Sequence, residues 1–169
     1  DDPNKTIRVK DDPIFKNNNL KIGLSWKSVV SVYGQLKSLN LVDFKPLIKK
    51  NRQFINLQYG EVKEEINKTE NKNFNIYSFE KINLFNDLDD LISLLKNLDI
   101  FVTVSNSTAH IAAAMGVKTL LICPKISSTY FYWSNENNKT PWYNNVQIFQ
   151  IDRSVKETIE NINKVLNKL

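Results

Sequence analysis

The chain has 169 residues, the size of one domain, and a hydrophobic share of 41% with 11% aromatics can fill a core of ordinary density. A charged share of 24% is that of a soluble folded protein, and no apolar run approaches the roughly 20 residues of a membrane helix, so no transmembrane segment is expected. The net charge of +5 comes from lysines scattered among asparagines and glutamates instead of a basic stripe, so nucleic acid is not an expected partner.

The single cysteine, Cys123, excludes an intramolecular disulfide, and with one histidine in the chain a zinc site of nitrogen and sulfur ligands is not expected. A reducing cytoplasm fits this usage. The mild positive bias suits anionic small ligands and acidic membrane surfaces alike, which leaves a peripheral place on the inner face of a membrane open. The chain begins at Asp1 with no apolar signal core, and an excised piece of a longer protein is the expectation.

In chain order, residues 1–19 are polar, with two Asp-Asp-Pro triplets and an asparagine run, and read as a linker, an N-terminal extension or a segment packed on something absent. Residues 20–169 form the domain. Short apolar runs at residues 20–26, 54–57, 100–104, 119–122 and 146–149 read as buried parallel strands. Helical spacing is expected over residues 43–50, 62–68, 88–98 and 107–115, and Val155, Ile159, Ile162 and Leu166 form the apolar stripe of a last helix. Strands alternating with helices predict an α/β fold with a doubly wound, mostly parallel Rossmann-like sheet.

The segment at residues 100–116 carries the most chemistry. A buried strand stops in polar residues and restarts as a small-residue helix, which Gly116 can terminate. Such a turn at the carboxyl edge of a parallel sheet presents unpaired N–H groups whose partial positive charge favours phosphate. Ser105, Asn106, Ser107 and Thr108 add hydroxyl and amide donors. Read by themselves, Ser105 or Asn106 can equally be ordinary helix caps, and His110 can be either a phosphate donor or a satisfied interior histidine.

Residues 103–116 (TVSNSTAHIAAAMG) resemble the V-S-N-T-T-A-H-L-A-G-A-L-G signature of bacterial two-domain (GT-B) glycosyltransferases often fused to tetratricopeptide repeats and similar to heptosyltransferases. Residues 21–27 (KIGLSWK) resemble the first strand of that group's C-terminal domain, and residues 37–39 (KSL) stand where it has R-S-I. Residues 54–60 (FINLQYG) resemble its F-V-S-L-Q-K-G strand and loop, and residues 140–143 (TPWY) with Phe149 and Gln150 resemble S-P-W-Y and F-R-Q. The chain departs at Ala113, which replaces a glycine, at Lys37, which replaces an arginine, and at the arginine missing between Phe149 and Gln150.

The resemblance implies one half of a GT-B fold that binds a nucleoside-diphosphate sugar for an inverting, metal-independent transfer, with no cofactor. It implies that the acceptor site and general base lie in an N-terminal domain outside this chain, so no catalytic residue is assigned within it. Lys27 and Lys37 are then the expected phosphate cations, with Ser25 and Ser38 as hydrogen-bond partners. Gln58 and Tyr59, after the second strand, are placed to read or stack on the base, while an exposed loop aromatic is an equal reading of Tyr59. Trp26, Trp133, Trp142 and Tyr143 read mostly as packing residues, with the loop at residues 130–133 near the cleft. The aspartates at 87, 89 and 90 read as the dipole-matched start of a helix.

A noncatalytic, degenerate transferase domain serving as an interaction module is the alternative. An oxidoreductase would need a glycine-rich fingerprint after the first strand, which Gly23 and Gly34 do not make.

Overall fold

A computed structural model describes residues 9–28, 34–70, 74–124, 132–133 and 140–169. Six strands, β1 (Leu20–Ser25), β2 (Arg52–Asn56), β3 (Ile76–Tyr77), β4 (Ile100–Val104), β5 (Thr119–Pro124) and β6 (Val146–Ile151), lie in the order β3-β2-β1-β4-β5-β6. Every pairing among them is parallel. Among the described residues, the α-helices α1 (Lys63–Glu70), α2 (Leu88–Lys96), α3 (Ser107–Ala114) and α4 (Val155–Leu166) connect or follow them. The order reverses direction between β1 and β4, which is where an open α/β sheet leaves a crevice at the carboxyl ends of its strands.

The strands are near-continuous apolar runs because both sheet faces are covered. Ile22 and Leu24 of β1, Ile100, Val102 and Val104 of β4 and Leu120 and Ile122 of β5 share one face with Phe44, Ile66, Ile159 and Ile162. The alternate residues face the other side: Phe101 packs with Leu91, Leu94, Leu95 and Ala112, and Leu121 and Cys123 pack with Ala109 and Ala113. Each fully buried aliphatic side chain contributes about 1.5–3 kcal/mol. Gly23 sits under the side chains of Leu57 and Leu98, which follow β2 and α2, and of Phe101 in β4. A methyl group there would meet Leu98 Cδ1 at 2.4 Å and Leu57 Cδ1 at 2.8 Å.

Residues 43–50 do not form the expected α-helix. A 3₁₀ segment, Leu41–Leu47, takes their place, because Pro46 cannot continue an α-helical hydrogen-bond ladder. It begins at Asn40, whose N–H donates to Asp43 Oδ2 at 2.9 Å. The edge strand β3, two residues long, is too short for a periodic signal and was not expected. Of the first 19 residues, those from Val9 onward are described. Val9 is 1% exposed, inside the cluster formed by Leu57, Leu91 and Leu94, and Ile14 is buried as well. No helix among the described residues is long and apolar enough to cross a membrane.

Candidate functional site at the crevice between β1 and β4

The carboxyl end of β4 runs directly into α3. Asn106 takes an extended conformation and its Oδ1 accepts the Ala109 N–H at 3.0 Å, so it is the helix N-cap. Ser107 is exposed, while Ser105 and Thr108 are buried. The first turn of α3 therefore stands at the crevice with the partial positive charge of a helix start. At the far end Met115 caps the helix, and Gly116 at φ 79° turns the chain out, its N–H donating to the Ala113 carbonyl at 3.1 Å.

Asn106 also reaches across the crevice. Its Nδ2 donates to Ser25 Oγ at 2.8 Å and to the Lys27 carbonyl at 3.3 Å. The Ser25 hydroxyl in turn donates to Gln58 Oε1 at 2.9 Å, and that oxygen also accepts the N–H groups of Trp26 at 2.9 Å and Lys27 at 2.7 Å. Gln58 Nε2 donates to the Tyr59 carbonyl at 2.9 Å. One buried network thus ties together the carboxyl ends of β2, β1 and β4. Gln58, 2% exposed, spends its amide oxygen on this network.

Lys27 pairs with Glu65 of α1, so its ammonium is engaged within the protein. Glu65 also accepts the Leu41 N–H at 2.9 Å and the Trp26 indole N–H at 3.1 Å. Burial raises the Glu65 pKa, but the Leu41 N–H, Lys27 and the Trp26 indole outweigh it and hold the carboxyl below the usual range. Lys37 is buried, and its charge acts on Cys123 at the end of β5. Burial pushes the Cys123 thiol up to about 12, against the opposing pull of Lys37. Ser38 is engaged in the loop: its hydroxyl donates to the Gly34 carbonyl at 2.8 Å and accepts the Ser28 N–H at 3.0 Å.

His110 lies in an aromatic box on the first turn of α3. Its ring stacks on Trp133 with centroids 4.2 Å apart, meets Tyr132 edge-on at 4.9 Å, and places Nδ1 3.2 Å from the Tyr143 hydroxyl. Burial lowers the His110 pKa. Trp133 is fully buried, and its indole N–H donates to Ser105 Oγ at 2.9 Å. Residues 130 and 131 of that loop lie outside the described residues. Trp142, expected to pack, is instead 65% exposed.

On the other side of the crevice, Tyr59 is half-buried and tilts against Phe85, itself 73% exposed, with centroids 5.7 Å apart. The pair borders a cleft of roughly 730 Å³ whose lining includes Asn56, Gly60, Asn67 and Ser78. A smaller recess of roughly 130 Å³ joins Tyr59 and Phe85 to Ser107 and Thr108. Ser25, Lys27, Gln58 and Asn106 are thus brought together directly, Ser105 bonds Trp133 instead, and Tyr59 borders the same edge as Ser107 and Thr108. Glu65 and Phe85 join the site although nothing in their local sequence marks them. Among the described residues, no group of three or more His, Cys, Asp or Glu side chains is placed to hold a metal ion.

No family model matches the chain. It is similar to Protein FlbA of Caulobacter vibrioides, 31% identical over 138 residues, which is 76% of this chain and 22% of that protein. Its structure is similar to that of E. coli ADP-heptose LPS heptosyltransferase II, with a TM-score of 0.61 at 16% sequence identity. That match covers 90% of this chain and 48% of the heptosyltransferase. The chain therefore spans about a fifth of the length of the first protein and about half of the second. Its fold is heptosyltransferase-like, a six-stranded, all-parallel Rossmann-like sheet matching one half of a GT-B structure.

Proposed function

We propose that the chain is the donor half of an inverting, metal-independent glycosyltransferase, holding a nucleoside-diphosphate sugar at the crevice between β1 and β4. The observation that carries this reading is the Asn106 to Ser25 hydrogen bond of 2.8 Å, which sets the first turn of α3 against the end of β1 at the reversal of strand order. A diphosphate seated there meets the free N–H groups of α3. The acceptor oxygen bonds to the sugar's anomeric carbon as the bond to the diphosphate breaks, and the helix start and Lys37 stabilise the negative charge left on the leaving group. The cleft beside Tyr59 and Phe85 is large enough for a base and ribose.

The acceptor site and general base are assigned in this reading to another α/β domain, with tetratricopeptide repeats as expected neighbours. The 169-residue chain by itself is expected to bind a nucleotide weakly and to transfer no sugar. Calorimetric titration of UDP, GDP and ADP tests this. Ser107→Asp puts a negative charge at the diphosphate seat on the exposed first residue of α3 and leaves the Asn106 cap and its bond to Ser25 in place, so it should retain the fold and lose binding. Equal binding by the parent and this variant would refute the assigned seat.

The alternative, a noncatalytic module, draws support from a specific observation: Lys27, Asn106 and Gln58 are all satisfied within the protein. No binding of any nucleotide by the parent chain would favour it.

A further inference from the structure

Tyr143 belongs to a loop held at both ends. Thr140 Oγ1 donates to the Tyr132 carbonyl at 2.8 Å, and Asn145 Nδ2 donates to the carbonyls of Ala113 at 3.0 Å and Val117 at 2.7 Å, near the end of α3. Between these anchors the Tyr143 hydroxyl meets His110 Nδ1 at 3.2 Å. The imidazole cannot swing away from that contact, because Trp133 is stacked on one face and Tyr132 abuts it edge-on.

Burial favours the neutral ring, and a neutral imidazole carries one N–H and one lone pair. Whichever nitrogen accepts from the phenol, the other must hold the proton. We propose that Tyr143 is a positioning residue for His110: its hydroxyl donates to Nδ1, which keeps the ring proton on Nε2 and offers an anion at the start of α3 a donor instead of a lone pair. The opposite tautomer would turn a lone pair toward that anion. The anion rests on the proposed donor site, whereas the tautomer does not.

His110 is the sole histidine of the chain, so nitrogen-15 labelling of histidine gives one ring to observe without assignment. At pH 7.5 and without ligand, the parent should show a protonated Nε2 and an Nδ1 shifted as a hydrogen-bond acceptor. Tyr143→Phe keeps the aromatic ring and removes only the hydroxyl. Its Nδ1 resonance should move toward that of an acceptor lacking a donor, with a larger share of Nδ1–H. In the same variant the dissociation constant for UDP, ADP or GDP, whichever binds the parent best, should rise about fivefold, the worth of one hydrogen bond.

A parent ring protonated at Nδ1, or identical histidine spectra in parent and variant, would overturn the proposal. Nucleotide affinity unchanged in Tyr143→Phe would also overturn it. If the ring behaves as expected and no nucleotide binds the parent, the donor-site reading fails while the tautomer assignment stands.

Discussion

The Glu65 carboxylate pairs with the Lys27 ammonium at the exit of β1 and, through its other oxygen, accepts the Leu41 N–H at 2.9 Å. A helix, a strand end and a 3₁₀ segment therefore meet on one side chain. Glu65→Ala leaves the Leu41 N–H and the Trp26 indole without their acceptor and should cost about 2–3 kcal/mol in urea unfolding, while Glu65→Gln, which keeps one acceptor oxygen, should cost about 1 kcal/mol.

The same carboxyl makes stability depend on pH. Its folded pKa lies below the ordinary value of 4.5, so the native state binds fewer protons there than the unfolded chain. The stabilisation is fully present above that ordinary value and is lost as pH falls through the lower, folded value. Unfolding followed between pH 6 and pH 3 should show a decline that is shallower in Glu65→Gln.

His110 acts in a higher window. Burial lowers its pKa from 6.5, so below that pH the unfolded chain takes up a proton before the native one does. Stability should fall as pH drops from 6.5 toward the folded value and then level. The slope in this window should vanish in His110→Asn, and a slope that persists in that variant would assign it to another group.

Gln58→Leu removes the acceptor of the Ser25 hydroxyl and the Trp26 and Lys27 N–H groups together. The expected loss is about 2–4 kcal/mol, measured by denaturant unfolding, because two buried donors and one part-buried donor are left unpaired. A loss under about 1 kcal/mol would mean that water replaces the amide oxygen.

Gly116→Ala puts a side chain on a residue at φ 79° where no atom lies within 4 Å of the new methyl group. The cost is then purely conformational, about 1 kcal/mol, and should appear as a small drop in the unfolding midpoint with unchanged nucleotide binding.

The strands β1, β2, β4, β5 and β6 were legible because runs such as residues 100–104 are apolar at all positions but Thr103, the mark of a strand covered on both faces. The start of α3 was legible because Asn106 is a residue type that caps. Residues 43–50 misled because their apolar spacing resembles a helix, and the proline within them outweighs it. At the site, the sequence placed Gln58 at the correct sheet edge but could not show which way its amide turns, since its partners lie 31 to 33 residues away. Glu65 was invisible for the same reason. On a helix reading KEEINKTE it looks like one more solvated charge, and its contacts to Trp26 and Leu41 span 39 and 24 residues.

Three strand ends linked through Gln58, Ser25 and Asn106 cannot vary one at a time. A substitution at Ser25 disturbs what holds Asn106, and one at Asn106 is transmitted back to the loop after β1. Change in ligand preference that spares the scaffold is therefore confined to side chains outside the network, of which Tyr59, Phe85 and Ser107 line the same edge. Grafting this crevice into another sheet would require moving Ser25, Gln58 and Asn106 as a set.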